Sequence, residues 1–314
     1  MAAAQWHVRA GAFVGKSDFA ESARHAQRAR ELLRGVADDP SAPALGADVC
    51  FRALSLGLRL GLAEHEVQEI FQEGLAWAAR TSDPLLAGRL HQARAVLEIG
   101  SNRIDGALTY AAEWARVARA MPDEERRACA LWPSFQPLLT RGDLAAVRTA
   151  CLQQVAWTRD NPEWGMRDWG ISAYADTFRI LGSVELFDGT FDRARELLER
   201  GIDVARRVGD KLEDASCCDV LGDLGFLAGE PDLARAAVEH SVRTSEPLGP
   251  FSRQWAHGRL GRQLILDGRA AEAVEALEHA MSFCSEGNRN LAPWMRQALA
   301  QASRRAPVPS RTTL

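Results

Sequence analysis

The sequence predicts an all-α protein: a right-handed α-α superhelix of about seven helical hairpins, finished by a capping helix. Three observations carry this. A four-position pattern recurs at steps of 40 and 39 residues. No alternation of apolar and polar residues persists long enough for a strand. Proline-containing breaks fall between the repeats, where helices must stop.

The pattern is anchored on Leu181-Gly182, Leu221-Gly222 and Leu260-Gly261. Eight residues after each Leu stands a glycine (Gly189, Gly229, Gly268), and thirteen after it an alanine (Ala194, Ala234, Ala273). Seventeen after it stands an aliphatic residue: Leu198, Val238 or Leu277. Each position has a physical role. The Gly beside Leu lets a second helix cross close to the first, and the Ala on that second helix is small for the same reason. The Gly between them can adopt the left-handed conformation that ends the first helix. Phe191, Ala194, Leu198 and Ile202 follow one another at three- and four-residue steps, an apolar stripe on one helix face. One hairpin cannot bury that stripe alone, so hairpins must stack.

Upstream the pattern is looser, but its punctuation continues. Candidate turn glycines are Gly15, Gly61, Gly100, Gly142, Gly189, Gly229 and Gly268, spaced 39 to 47 residues apart. Breaks at Asp39-Pro40-Ser41-Ala42-Pro43, Asp83-Pro84, Met121-Pro122 and Asn161-Pro162 fall between the hairpins they delimit. Residues 288–304 read as the capping helix. The solenoid thus spans residues 1–305, clearest over 174–284, and the Pro-bearing tail 306–314 is expected to be disordered.

These positions match the tetratricopeptide-repeat (TPR) signature in three copies, at a period longer than the ~34 residues of a standard repeat. The wider chain resembles something narrower. Segments such as Ala23–Leu33 (ARHAQRARELL), Ala53–Leu62 (ALSLGLRLGL), Phe251–Leu260 (FSRQWAHGRL) and Ala271–Met281 (AEAVEALEHAM) look like the C-terminal helical region of large bacterial regulators. Those proteins join a class III adenylate/guanylate cyclase domain to an AAA-type ATPase and a TPR tail. The resemblance implies a TPR-like solenoid and a regulatory, signalling role. The cyclase and ATPase domains themselves have no room in 314 helical residues, which leaves open a standalone relative or a detached remnant of a larger protein.

Composition narrows the function. The net charge is −4, with no basic stripe of the kind nucleic-acid binders carry. No apolar run approaches the ~20 residues needed to cross a bilayer, and the first residues lack the pattern of a signal peptide. Cys50, Cys129, Cys151, Cys217, Cys218 and Cys284 form no C-x-x-C pair and no metal-ligand spacing, so no metal site is expected, and they read as small buried thiols in a reduced cytoplasm.

Ala10 to Ser17, with Gly15 and Lys16, satisfies a loose phosphate-loop pattern. A phosphate loop needs a buried strand before it, and the residues here are helical in character, with Trp6, His7 and Arg9. A nucleotide-linked regulator using Lys16 is therefore the alternative, not the leading reading. Glu64-His65-Glu66 and Asp123-Glu124-Glu125 read as acidic helix starts rather than as metal or acid–base sites. Trp157, Trp164 and Trp169 flank the Asn161-Pro162 break, either packing a long connection or lining an aromatic pocket. No nucleophile setting appears, so neither an enzyme nor a cofactor is expected.

In TPR arrays the first helix of each hairpin lines the concave groove. Carried onto this chain, that implies groove candidates Arg179 and Ser183, Asp219 and Asp223, Trp255 and Arg262. The expected partner is a protein or peptide on the concave face. Two aspartates stand where a carboxylate-binding basic clamp would be, so a ligand with both charge signs, or a basic segment, fits better.

Overall fold

The Leu-Gly repeats become pairs of antiparallel helices stacked along the chain. The computed structural model describes residues 1–14, 18–158, 161–285 and 291–305. The first three hairpins pair α1 (Ala2–Val14) with α2 (Phe19–Arg34), α3 (Ala42–Leu60) with α4 (Glu64–Ala78), and α5 (Pro84–Gly100) with α6 (Ile104–Arg119). A short α7 (Glu124–Ala128) leads to the fourth hairpin, α8 (Trp132–Arg141) with α9 (Leu144–Thr158). After the single turn α10 (Met166–Trp169) come α11 (Ala173–Phe187) with α12 (Phe191–Val208), and α13 (Lys211–Leu227) with α14 (Pro231–Ser245). The seventh hairpin is α15 (Pro250–Leu266) with α16 (Ala270–Ser282), and α17 (Ala292–Arg305) packs on both of its helices as the cap. No β-strand occurs among the described residues. The fold is the expected TPR-like solenoid. Gly15, Lys16 and the tail 306–314 lie outside the described residues; the segment before Lys16 is the helix α1.

The repeat positions do what their sizes imply. A Cβ on Gly182 would stand 2.7 Å from Leu198 Cγ, and one on Gly222 2.9 Å from Val238 Cγ2; Gly261 meets Leu277 in the same way. The Gly after each Leu is thus the socket for the aliphatic residue of its own repeat. Ala194, Ala234 and Ala273 are fully enclosed where the helices cross. Between these helices Gly189, Gly229 and Gly268 take φ values of 78°, 74° and 74°, and Gly61 and Gly142 do likewise in the second and fourth hairpins. Gly100 does not: it is the last residue of α5, and Asn102, at φ 59°, makes the left-handed turn instead. Asn tolerates that conformation better than other side chains, and a sequence search for glycine passes over it.

Helix starts follow the breaks. Asp83 accepts the Leu85 amide at 2.9 Å with Pro84 in the first turn. Asp123 accepts the Arg126 amide at 2.9 Å, so Asp123-Glu124-Glu125 is an acidic helix start, as its composition implies. At the second acidic segment Glu66 reaches back to the Ala63 amide at 2.9 Å.

One feature has no counterpart in the repeat pattern. The stack curls until α15 packs against α3, Ser285 meets Gly61, and the Phe19 ring lies beside Gly249. The concave face is therefore closed across by the ends of the array rather than left as an open groove.

Candidate functional site

Closure turns the groove into a cavity of about 220 Å³. Its wall comes from the first helices of the last six hairpins, α3, α5, α8, α11, α13 and α15, helped by the connection around Trp169 and Ile171. First helices face inward because their partners form the outer layer; α12, with apolar residues on one side only, shields the core from solvent. The wall is largely apolar and aromatic. Trp132 and Trp169 stack at 5.0 Å with ring planes 9° apart, and Phe51, Phe251 and Trp255 stand elsewhere on it. Such a surface gives up water readily to a ligand.

Polar groups are few and sharply placed. The Arg179 guanidinium sits between two buried carboxylates. It donates to Asp176, and its Nε lies 3.1 Å from Glu213 Oε2. Gln136 Oε1 is a more distant acceptor at 3.5 Å. Two carboxylates share one cation here. Burial, with the like charge of Asp176 beside it, pushes the Glu213 carboxyl well above the ordinary range. Burial also raises Asp219, whose Oδ1 accepts from the Ser241 hydroxyl at 2.7 Å, with Arg259 3.9 Å from its other oxygen. Arg259 in turn lies over the Trp255 ring at 4.8 Å and donates to Asp223 at 3.0 Å.

Two groups on this wall have no partner among the described residues. Gln92 of α5 is 1% exposed, and neither its amide nitrogen nor its amide oxygen makes a hydrogen bond. The indole N–H of Trp255 is also buried without an acceptor. Leaving a buried amide unpaired costs about 1–3 kcal/mol, so its presence in a cavity calls for an explanation beyond packing.

The six residues expected on the groove separate into three groups. Arg179, Asp219 and Trp255 line the cavity. Asp223 and Arg262 pair with each other one turn further along α13 and α15, in a cluster with Arg259. Ser183 is 6% exposed and spends its hydroxyl on the Arg179 carbonyl at 3.0 Å, a packing position. Gln92, Trp132, Glu213 and Arg259 were not anticipated. Gln92 and Trp132 lie in hairpins where the Leu-Gly register is absent, so no alignment assigned them a face. Of the three tryptophans near Asn161-Pro162, only Trp169 reaches the cavity; Trp157 borders a separate shallow hollow with Arg119 and Arg127.

No protein-family model matches the sequence, and no curated protein matches it. Solved structures do. The chain is similar to the crystal structure of Rap protein complexed with Competence and Sporulation Factor, with a TM-score of 0.68 and 12% identity over 95% of this chain and 85% of that one. It is also similar to a tetratricopeptide repeat protein from Parabacteroides merdae ATCC 43184, with a TM-score of 0.59 and 14% identity over 96% of this chain and all of the other. At such identities the likeness is one of fold.

Proposed function

We propose that this protein is a non-catalytic TPR-like interaction module that holds a segment of a protein or peptide partner inside its central cavity and serves regulation. The observation that carries this reading is the Gln92 amide, 1% exposed and unpaired among the described residues in both its donor and its acceptor, on a wall whose other polar groups are mostly charged and paired. A peptide backbone offers both a carbonyl and an N–H to such a group, and aromatic walls bury the flanking side chains. The fold neighbour was solved with Competence and Sporulation Factor bound, which supports a ligand-holding role for this kind of solenoid. The described lining includes no Cys, His or Lys, and its arginines are committed to carboxylates, which favours binding over chemistry. Resemblance to the tails of cyclase–ATPase regulators supports a signalling setting. The six free cysteines, five of them buried, accord with a cytoplasmic one.

The test is selection from a displayed library of short random peptides on immobilised protein, followed by titration of the enriched sequences against wild type, Gln92→Met and Trp255→Ala. Enriched peptides should quench or shift the fluorescence of the cavity tryptophans and lose at least about tenfold in affinity for both variants. Peptides that bind all three proteins equally would place the ligand elsewhere and overturn the reading.

A further inference from the structure

A second constellation lies on the opposite side of α13, away from the cavity. Asp214 and Cys218 are four residues apart on this helix, which puts both side chains on one face. His240 of α14 meets them there. Its Nε2 is 3.0 Å from Asp214 Oδ2, the Cys218 sulfur is 4.0 Å from Asp214 Oδ1, and all three donor atoms lie within 4.8 Å of one another. Ligand atoms bonded to a tetrahedral zinc ion at ~2.0–2.3 Å stand roughly 3.3–3.8 Å apart, so small rotations bring this trio onto three corners. Asp214 and Cys218 are buried while His240 is part-exposed, which leaves an approach from solvent on the His240 side.

Two more residues touch the trio: the Thr244 hydroxyl oxygen lies 3.3 Å from His240 Nε2, and Arg206 approaches from α12. Arg206 of α12 places its Nε 3.1 Å from Asp214 Oδ1 and its Nη2 3.3 Å from His240 Nε2. A guanidinium donates to the carboxylate here; the half-exposed Arg206 side chain can leave this position without disturbing the core. It supplies positive charge where an ion would.

We propose that Asp214, Cys218 and His240 form a binding site for a divalent ion of zinc-like softness, with Arg206 as the group the ion displaces. One thiolate, one imidazole and one carboxylate are the donor mixture that zinc accepts and that magnesium or calcium does not. The site is independent of the cavity reading. The charged and titratable groups facing the thiol are Asp214, His240, Arg206 and Asp219, and the thiol is buried. The ion therefore binds by exchange: the Cys218 S–H bond breaks, a sulfur–zinc bond forms, and one proton goes to solvent for each ion bound. The bound ion would tie α13 to α14 beside Glu213 and Asp219, the two carboxylates that α13 presents to the cavity wall.

Cobalt(II) is the probe, titrated into the metal-free full-length protein with the thiols kept reduced. The expected result is a sulfur-to-cobalt charge-transfer band saturating at one ion per chain and displaced by zinc. The band should vanish in Cys218→Ser, and His240→Ala should weaken binding by about tenfold or more. Arg206→Gln should bind more tightly than wild type, an effect that loss of a merely structural arginine would not produce. Circular dichroism establishes that each variant remains folded. Absence of the band in both wild type and Arg206→Gln would overturn the proposal. So would a band that survives Cys218→Ser, because it would belong to another thiol.

Discussion

Gly225 of α13 lies so close to Ala234 of α14 that a Cβ at 225 would stand 2.6 Å from the Ala234 amide nitrogen. The obstacle is backbone, which cannot rotate aside as a side chain would. Gly225→Ala is therefore expected to destabilise the protein by about 1–3 kcal/mol, although the same exchange in an unconstrained helix gains roughly 1 kcal/mol. Ala234, 1% exposed at the same crossing, should tolerate Trp still less. Urea denaturation followed by circular dichroism measures both. Unchanged midpoints would mean that the two helices do not cross at these residues.

Gly222, Ala234 and Val238 stood out because they recur in register with Gly182, Ala194 and Leu198. Gly225, one turn further on, has no counterpart in the other two copies and passed unnoticed, though it makes the tighter contact. The same logic explains Asn102, which replaces a glycine by a residue of similar backbone tolerance. Closure of the ring was invisible for a different reason. The contacts between α3 and α15 join segments about two hundred residues apart, and nothing in a repeat pattern says how many repeats complete a circle. The cavity candidates followed suit: Arg179, Asp219 and Trp255 sit in regular repeats, whereas Gln92 sits in an irregular one.

Asp223 takes charge from two arginines, Arg259 and Arg262, and is only partly exposed. Removing it would leave two neighbouring guanidinium groups facing each other. Asp223→Ala should cost about 1–3 kcal/mol in stability, and Asp223→Arg more, by adding a third positive charge. A double-mutant cycle with Arg262→Ala checks this. A coupling energy near zero would show that Arg259 alone neutralises the carboxylate and that the second pair contributes nothing.

The shared cation between Asp176 and Glu213 makes a prediction about pH. Burial and the neighbouring carboxylate raise Glu213 above its ordinary value of 4.5 in the folded protein. Between 4.5 and that higher value the folded state keeps a proton that the unfolded chain has lost, so this contribution is fully present below about pH 4.5 and fades as the pH rises. Glu213→Gln removes the titration while keeping a polar side chain beside Arg179. Its melting temperature should gain on wild type as the pH rises above about 4.5. A difference that stays constant across that range would show that Glu213 ionises at its ordinary value.

Gln92 couples stability to function most directly. Its amide is 1% exposed, lines the cavity and makes no hydrogen bond with any described residue, so the ligand-free fold carries the cost of desolvating it. Met has nearly the same length and shape and no polar group to desolvate. Gln92→Met should therefore leave the fold intact and raise stability, by up to about 1–3 kcal/mol, while weakening capture of any ligand that pairs with the amide. Opposite changes in the two properties are the signature of a group retained for binding. Thermal melts without ligand and titration of a selected peptide measure the two sides separately. A variant that is less stable than wild type yet binds as well would reverse the assignment, making Gln92 a structural residue whose amide finds a partner within the fold.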